Sequence, residues 1–196
     1  KDLLTYLPGQ ALPALAAFIT VPIYTRLFLP KDYGNFLLAV TVTEFLLLAT
    51  TTGFGQAAVR FYSAFRLKTG LSSYFSIVIT SLALITVIVV CVYTSILIIF
   101  KNLIPVDIYS LLWAALAFFV VSAWFATLSD VLRGQEKSKW FSLFSIIQSF
   151  GGILFGLLLV LQFKIGIVGL IWGQVLGLLI PIPALLWLTS RSIPIG

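Results

Sequence analysis

A few ionisable residues in the apolar parts of this sequence could each do a definite piece of chemistry. Glu44 lies inside a long apolar run, where a carboxyl group can exchange a proton during a transport cycle. Arg60 follows the second apolar run in a basic cluster with Arg66 and Lys68, which is either an ordinary determinant of topology or a contact for a ligand such as an anionic lipid phosphate. We therefore take Glu44 as a candidate cavity and ion-coupling residue, and leave both roles open for Arg60.

Glu44 is the most informative of these residues. An ionised carboxylate at the centre of a bilayer costs about 2.5 to 3.5 kcal/mol on insertion scales, so such residues face a bundle interior or an aqueous cavity. On an ideal helix Thr41 and Thr51 share the side of Glu44, which predicts one polar stripe. Two interpretations stay open, because Glu44 either lines a cavity or is a protonated hydrogen-bonding group that only holds neighbouring helices together.

The first apolar run adds Gln10 as a further candidate substrate-binding residue. The same run contains Pro8, Pro13 and Pro22, and a proline inside a helix removes a backbone hydrogen bond and bends the axis. Transporters place such broken helices beside their substrate path. A static kink packed against its neighbours explains the prolines equally well.

Many chemistries are excluded by composition. The chain has no His and a single Cys, Cys91, which removes His-based triads, zinc sites and internal disulfides. The loose pattern Gly53-x-Gly55-x-x-Ala58 follows an apolar run rather than a strand, so it does not indicate a dinucleotide site. We expect no catalytic residue, metal, cofactor or enzyme activity.

The elements that must position these side chains are six apolar runs. Hydrophobic residues make up 61% of the 196 residues and charged residues 9%, whereas soluble domains carry about 25% charged residues. The runs are apolar on every face and lack the alternation of barrel strands, and each can cross a bilayer as a helix. The sequence predicts an all-α polytopic membrane protein in which residues 1–196 form one unit of six transmembrane helices: Leu3 to Leu29, Tyr33 to Phe54, Leu71 to Phe100, Ile108 to Leu132, Trp140 to Phe163 and Ile165 to Leu188.

The basic residues predict the orientation of the chain. The net charge is +6, but the Lys and Arg residues lie in loops rather than in a stripe with aromatic partners, so we expect no nucleic-acid partner. If the spans alternate, most of the basic residues fall on the side of the two ends, which predicts that both ends are cytoplasmic. On that side, residues from Gly55 to Gly70 are predicted to form a short helix lying at the membrane interface.

Small residues and prolines mark the last two spans. Gly152 and Gly156 in span five, and the glycines at a spacing of four from Gly169 in span six, predict a close backbone approach between helices. Pro181 and Pro183 are predicted to bend the end of span six. Because the sequence has no Met and no polar tail, we expect it to be part of a longer polypeptide.

Three segments carry a family resemblance. The segment Pro22 to Phe36 resembles the first extracytoplasmic turn of the polysaccharide transporter family, the Wzx-type flippases of the multidrug/oligosaccharidyl-lipid/polysaccharide exporter superfamily. Gly53 to Tyr62 and the basic loop after Leu132 are similar to later segments of the same family. The chain would correspond to the amino-terminal half.

The resemblance implies one lobe of a two-lobe transporter related to the multidrug and toxin extruders. Its expected substrate is an undecaprenyl-diphosphate-linked oligosaccharide, which alternating access moves across a bacterial or archaeal cytoplasmic membrane for polysaccharide biosynthesis, including O-antigen and lipopolysaccharide. The implied partners are membrane lipids and a second lobe of the same polypeptide. The implied central cavity is cationic and accepts the diphosphate and sugars, and a guanidinium suits that role because its fixed fork of donors pairs with phosphate oxygens. The resemblance therefore makes Arg26 and Arg60, which match family positions, candidate substrate ligands, whereas no match is established for Glu44. Arg26 has an alternative role as an ion-pair partner of Asp32.

Other function classes remain open. A related antiporter for cationic drugs would favour acidic cavity groups, which Glu44 alone supports. A membrane-embedded transferase would need clustered carboxylates or a large extramembrane loop, and the sequence has neither. A structural membrane subunit without transport activity is a further alternative.

Overall fold

The computed structural model describes the backbone of residues 3–68 and 71–190, and the side chains within 11–62, 71–137 and 139–190. These residues form eight α-helices and one π-helical segment, and none of them is in a strand. The α-helices are α1 (Leu3–Leu27), α2 (Pro30–Leu47), α3 (Gly53–Lys68), α4 (Leu71–Ile99), α5 (Val106–Gly134), α6 (Ser138–Leu161), α7 (Val168–Leu179) and α8 (Pro181–Ser190).

The helices are those of a multi-pass membrane protein. Five stretches among the described residues are long and apolar enough to span a bilayer, and Ala11–Leu27 of α1 is a shorter apolar helix. The whole of α1 has 25 residues, which gives it a length of about 37 Å at ~1.5 Å per residue. The five stretches are Pro30–Tyr62, Leu71–Ile99, Val106–Gly134, Lys139–Leu161 and Val168–Ser190. The predicted all-α polytopic fold is therefore confirmed.

The second crossing is longer than the sequence predicted. The π-helical segment Leu48–Thr52 joins α2 directly to α3. The helix predicted after Gly55 is therefore present as part of α3, but it continues the second crossing instead of lying in a separate loop. A π turn shifts the backbone hydrogen bonds by one residue, and Thr51 and Thr52 compensate because both hydroxyls donate to the carbonyl of Leu47. The π-helical segment keeps the helix continuous but rotates the side chains of α3 about the helix axis relative to those of α2.

The first crossing is not broken at its prolines. Helix α1 is continuous through Pro13 and Pro22. The hydroxyl of Thr25 donates to the carbonyls of Val21 and Pro22, and that of buried Thr20 donates to Ala16 at 2.6 Å, so side chains supply hydrogen bonds along the proline-containing stretch. The described part of α1 is thus a continuous helix and not a broken helix beside a substrate path.

Helix α5 is the centre of the bundle. It contacts α2, α3, α4, α6, α7 and α8, and Phe119, Ala123 and Leu128 on it are completely buried. Polar side chains from its neighbours bond to backbone carbonyls inside the bundle. The buried hydroxyl of Thr43 lies 3.1 Å from the carbonyl of Ala115, and the hydroxyls of Tyr93 and Tyr74 donate to the carbonyls of Leu112 on α5 and Ala58 on α3. Each bond removes a polar hydroxyl from lipid contact.

Helices α6 and α7 pack along a seam of glycines, as the sequence predicted. A methyl group on Gly173 would overlap the backbone of Gly156 and lie 2.9 Å from the carbonyl carbon of Phe155. A methyl group on Gly177 would overlap the backbone of Gly152 one turn away. We call these paired residues (152, 156, 173 and 177) the glycine seam. It lets two antiparallel backbones touch, which no larger residue permits.

The prolines at the end of the last crossing act as the sequence predicted. Helix α7 ends in a turn at Ile180, and Pro181 is the first residue of α8, a position where the missing proline N–H costs no hydrogen bond. The completely buried Leu185 packs with Leu128 and Leu132 of α5. The helix is thereby interrupted at Ile180 within the last crossing, and both parts stay packed in the bundle.

The loops fall on two faces. On the hairpin face, defined by the α1–α2 turn and the start of α5, Lys31 and Asp107 form an ion pair of 3.0 Å. On the basic face, defined by the α5–α6 loop and the end of α8, the Lys137 ammonium donates to the carbonyl of Leu188 at 3.2 Å. These contacts fit a chain that alternates between the two faces.

The glycine seam yields a stability prediction. Gly173→Ala forces α6 and α7 apart, and we expect it to lower the free energy of unfolding by about 1 to 3 kcal/mol, the usual cost of overpacking. Gly34→Ala is the matched control, because a methyl group there meets nothing within 4 Å. It should be neutral or slightly stabilising. Thermal unfolding in detergent measures both variants, and equal melting temperatures would contradict the packing described here.

Candidate functional site

A cavity of about 380 Å³ lies inside the bundle, between α1, α2, α5, α6 and α7. It begins near the hairpin face, where Tyr24 and Tyr33 line it, and reaches Glu44 in the interior of α2. On α2 the lining residues run from Tyr33 to Glu44, 11 residues apart, so the cavity extends about 16 Å along a helix rising ~1.5 Å per residue. Glu44 itself lies about 21 Å from the start of α2 at Pro30. This depth places its inner end near the middle of a bilayer whose hydrocarbon core is about 30 Å thick.

The cavity lining combines apolar side chains with neutral polar groups and one carboxyl group. Helix α1 contributes Thr20 and Tyr24, and the start of α2 contributes Tyr33. Further along α2, Glu44 supplies the carboxyl group. Among the described residues that line the cavity, none is a Lys or an Arg. The remaining polar side chains are Gln148 and Ser149 on α6 and Gln174 on α7.

Aromatic rings form the end of the cavity nearest the hairpin face. Tyr33 stacks on Phe36 with ring centroids 6.0 Å apart and planes at 28°, and Tyr24 meets Phe36 edge to face at 6.2 Å. Tyr24 and Phe36 are buried, and such pairs fix the orientation of the rings. The cavity therefore has a rigid aromatic end and a polar end.

The glycine seam places the two amide side chains at the polar end. Gln148 lies one turn before Gly152 on α6, and Gln174 follows Gly173 on α7. The helices are so close that a methyl group on Gly152 would lie 3.4 Å from the Cα of Gln174. Because the two backbones touch, Gln148 and Gln174 line the same cavity from adjacent helices.

Of the residues selected from the sequence, Glu44 is the one that the structure places on this cavity. The side chain of Glu44 lines the inner end of the cavity and is exposed there. The predicted polar stripe is wrong in one respect, because Thr51 is buried whereas Glu44 and Thr41 are exposed. Thr51 belongs to the π-helical segment, which changes the helical phase after Leu47.

Arg26 and Arg60 lie at opposite ends of the bundle. Arg26 is exposed in the last turn of α1, two residues from Tyr24 and so on the other side of that helix. No ion pair joins it to Asp32 within the described part of the chain. Arg60 is exposed on α3, about 24 Å beyond Glu44 along the second crossing at ~1.5 Å per residue. The structure thus does not bring the two guanidinium groups together.

The side chain of Gln10 lies outside the described residues.

The basic face also holds a carboxyl group that packs against α3, the helix that carries Arg60. Gly55, on the same helix, contacts the carboxylate of Asp130, which forms an ion pair of 3.2 Å with Arg133. The Arg133 guanidinium in turn lies 4.4 Å from the ring centroid of Phe141 on α6. In the neighbouring loop, partial burial lowers the pKa of Lys137 below the usual lysine value. This face holds cations beside a partly buried carboxylate.

Sequence reasoning missed the neutral polar residues of the cavity. It weighed charged side chains in the apolar runs and passed over Gln148 and Gln174, although each lies in the middle of a predicted span. Their positions next to glycines of a predicted helix contact were the signal that could have found them.

The fold and the cavity define a multi-pass α-helical membrane protein with a polar cavity inside its helix bundle. A family model described as "Polysaccharide biosynthesis protein" matches residues 1–192, and the chain belongs to that family. The match confirms the resemblance drawn from the Arg26 and Arg60 segments and supports a transporter connected with polysaccharide synthesis. No curated protein and no solved structure gave a match.

Water access to the cavity can be tested by cysteine labelling. In a Cys91→Ser background, we expect Glu44→Cys to react with a charged methanethiosulfonate reagent, because the reactive thiolate forms only where water reaches it. Leu84→Cys is the control, since Leu84 is 62% exposed on the apolar surface of α4 and should face lipid. Mass spectrometry of protein labelled in membranes gives the modified fraction. Equal labelling of the two cysteines would contradict an aqueous cavity at Glu44.

Proposed function

We propose that this chain is one lobe of a transporter that moves a lipid-linked oligosaccharide across the cytoplasmic membrane by alternating access. Membership of the polysaccharide biosynthesis family supports a role in that synthesis. The observation that carries the transport proposal is the polar cavity, which reaches from one face to about mid-membrane depth inside an otherwise apolar bundle. A hydrophilic headgroup needs such a path because hydrocarbon does not accept it.

The positions of the two arginines support a transfer of the diphosphate from one leaflet to the other. Arg60 lies toward the basic face and Arg26 at the hairpin face, so a single static site cannot use both. We propose that Arg60 receives the lipid diphosphate at the cytoplasmic leaflet and that Arg26 holds it after the lobe has changed conformation. A guanidinium suits both steps because it binds two phosphate oxygens at once.

The remaining parts of the proposal follow from this arrangement. The basic face is cytoplasmic, in keeping with the Lys/Arg rule for membrane proteins, and a second lobe of the same polypeptide completes the transport path. No bond in the substrate is made or broken, and the chain needs no metal or cofactor for this work. The polyprenyl tail stays in the lipid beside the apolar outer surface of the bundle.

A second candidate function is antiport of organic cations. It is favoured by one observation, because Glu44 is the charged residue on a cavity without a basic side chain among its described lining residues. Glu44-dependent export of a lipophilic cation such as tetraphenylphosphonium by the complete polypeptide, with no movement of lipid-linked glycan, would establish this function instead.

Reconstitution of the complete polypeptide in vesicles tests the proposed function. We expect it to move a polyprenyl-diphosphate-linked oligosaccharide between leaflets, measured by how much of the glycan a lectin or glycosidase added outside can reach. Arg26→Gln and Arg60→Gln should each reduce the rate at least about tenfold, as expected when a charge-assisted hydrogen-bond pair is lost. Lys101→Gln and Lys139→Gln are matched controls that remove an exposed cation from the same two ends.

The outcomes of this assay separate the alternatives. Unchanged rates in both arginine variants would overturn the diphosphate transfer but leave transport itself standing. The absence of movement by the unmodified polypeptide, together with normal export of glycan in cells that lack its gene, would overturn the transport function.

Coupling to a proton gradient gives a further prediction for Glu44. If its carboxyl group carries the coupling proton, an imposed pH gradient accelerates flipping by the unmodified protein and has no effect on Glu44→Gln. Glu136→Gln is the control, because Glu136 is an exposed loop carboxylate outside the cavity. The initial rate with and without the gradient is the measurement. A Glu44→Gln protein that still responds to the gradient would exclude this role.

A further inference from the structure

The cavity and the arginines differ in the chemistry that they offer a lipid-linked sugar. A diphosphate needs cations, and among the described residues the cavity lining supplies none. The Glu44 carboxylate at its inner end would repel a diphosphate. Arg26 lies on the opposite side of α1 from Tyr24, outside the cavity. The cavity therefore does not suit the diphosphate of such a substrate.

The same lining matches a carbohydrate. The amides of Gln148 and Gln174 each offer two donors and one acceptor oxygen, the Glu44 carboxylate offers acceptors only, and tyrosine hydroxyls can do both. Neighbouring hydroxyls of a pyranose ring donate and accept at close spacing, so two convergent amides and a carboxylate can satisfy them together. We propose that this cavity is the subsite for the sugar part of the substrate, while the diphosphate binds outside it. This assignment rests on the proposed function of the chain.

The aromatic end of the cavity supplies the apolar contact that a sugar requires. One side of a pyranose ring carries mainly C–H groups and packs on the face of an aromatic ring. Tyr33 is half-buried, lines the cavity and is held by its stacking on Phe36 at 6.0 Å. A methyl group on Gly156 would lie 3.6 Å from the Tyr24 hydroxyl, and from there Gln174, which faces Gly152, lies about one helical turn deeper and Gln148 about two turns deeper. A sugar can thus contact a ring and hydrogen-bonding side chains at once.

The size of the cavity limits what it holds. Its 380 Å³ falls at the lower end of the ~300 to 1,000 Å³ range of small-molecule sites. This space suits about one or two sugar rings and not a long glycan. The glycine seam fixes the separation of Gln148 and Gln174, because α6 and α7 cannot approach more closely or slide apart without breaking that contact. The subsite is therefore formed by a rigid pair of helices.

Binding of free sugars tests the assignment without relying on transport. The complete polypeptide in detergent is mixed with methyl glycosides of glucose, galactose and N-acetylglucosamine, and saturation-transfer NMR reports which ring protons contact the protein. We expect at least one glycoside to bind through its ring protons. Sodium pyrophosphate, sodium chloride and potassium chloride are the competitors, and we expect none of them to displace the sugar.

Variants locate the binding. Gln148→Leu and Gln174→Leu should each weaken the sugar about three- to tenfold, in line with the loss of one or two neutral hydrogen bonds, and Tyr33→Leu should reduce saturation of the ring protons. Gln162→Leu is the matched control, because Gln162 is exposed at the end of α6, outside the cavity. If a leucine variant fails to fold by its melting temperature, Gln148→Asn or Gln174→Asn replaces it, because each keeps the amide but shortens its reach.

Each outcome bears on the assignment. Sugar binding that is lost in the cavity variants and kept in Gln162→Leu supports it. The assignment is overturned if the unmodified protein binds no sugar, if pyrophosphate competes with the sugar, or if all variants bind equally. It is also overturned if sodium chloride but not potassium chloride displaces the sugar and Glu44→Gln abolishes this competition, because the cavity would then be a sodium site. A protein that binds sugar through these residues but moves no lipid contradicts the proposed transport alone, so the two failures are distinguishable.

Discussion

The lipid around these helices restricts polar side chains more than any other factor. Hydrocarbon offers no hydrogen-bonding partner, so backbone groups must be paired within helices and polar side chains must turn inward. Threonine and tyrosine hydroxyls accordingly bond to carbonyls of their own or neighbouring helices, as Thr43 does with Ala115 and Tyr74 with Ala58. The polar side chains of Gln148, Gln174 and Glu44 line one cavity. Their grouping supports the proposed path through the membrane.

Close packing of α6 and α7 determines how this cavity is built. Gly156 and Gly173 bring the two backbones into contact, and the same contact sets the separation of the amides that flank it. On the other side, α1 and α2 supply Tyr24, Tyr33 and Phe36, whose rings interlock near the hairpin face. Helix α5 closes the remaining side with Phe118. The walls of the cavity are therefore formed by packing that depends on very small residues on one side and large rings on the other.

Much of the fold could be predicted from the sequence because lipid imposes a simple length and composition rule. The apolar runs, the contact through Gly152 and Gly156 and the bend at Pro181 all follow from local residue types. The π-helical turn at Leu48–Thr52 could not be predicted, because it depends on threonine hydroxyls replacing a backbone bond and on the packing of Thr51 in the bundle. A helical projection of the second crossing that omits this turn assigns the residues after Leu47 to the wrong side of the helix.

The site was harder to predict than the fold. Glu44 was identified because a charge in an apolar run is conspicuous, whereas Gln148 and Gln174 are neutral and become significant only when two distant segments pack together. Arg26 and Arg60 matched a family pattern, and the alternation of the predicted spans already put them on opposite sides of the membrane, in agreement with their positions at opposite ends of the bundle. Sequence alone indicates which residues are unusual in an apolar run, and three-dimensional packing shows which of them share a cavity.

The most direct test of this account is a cryo-electron microscopy structure of the complete polypeptide in a lipid nanodisc with its lipid-linked oligosaccharide bound. We expect density for the first sugar rings between Tyr33, Gln148 and Gln174, with the diphosphate outside the cavity beside Arg26 or Arg60. Diphosphate density among Gln148, Gln174 and Glu44, or a substrate that leaves the cavity empty in every conformation resolved, would contradict it.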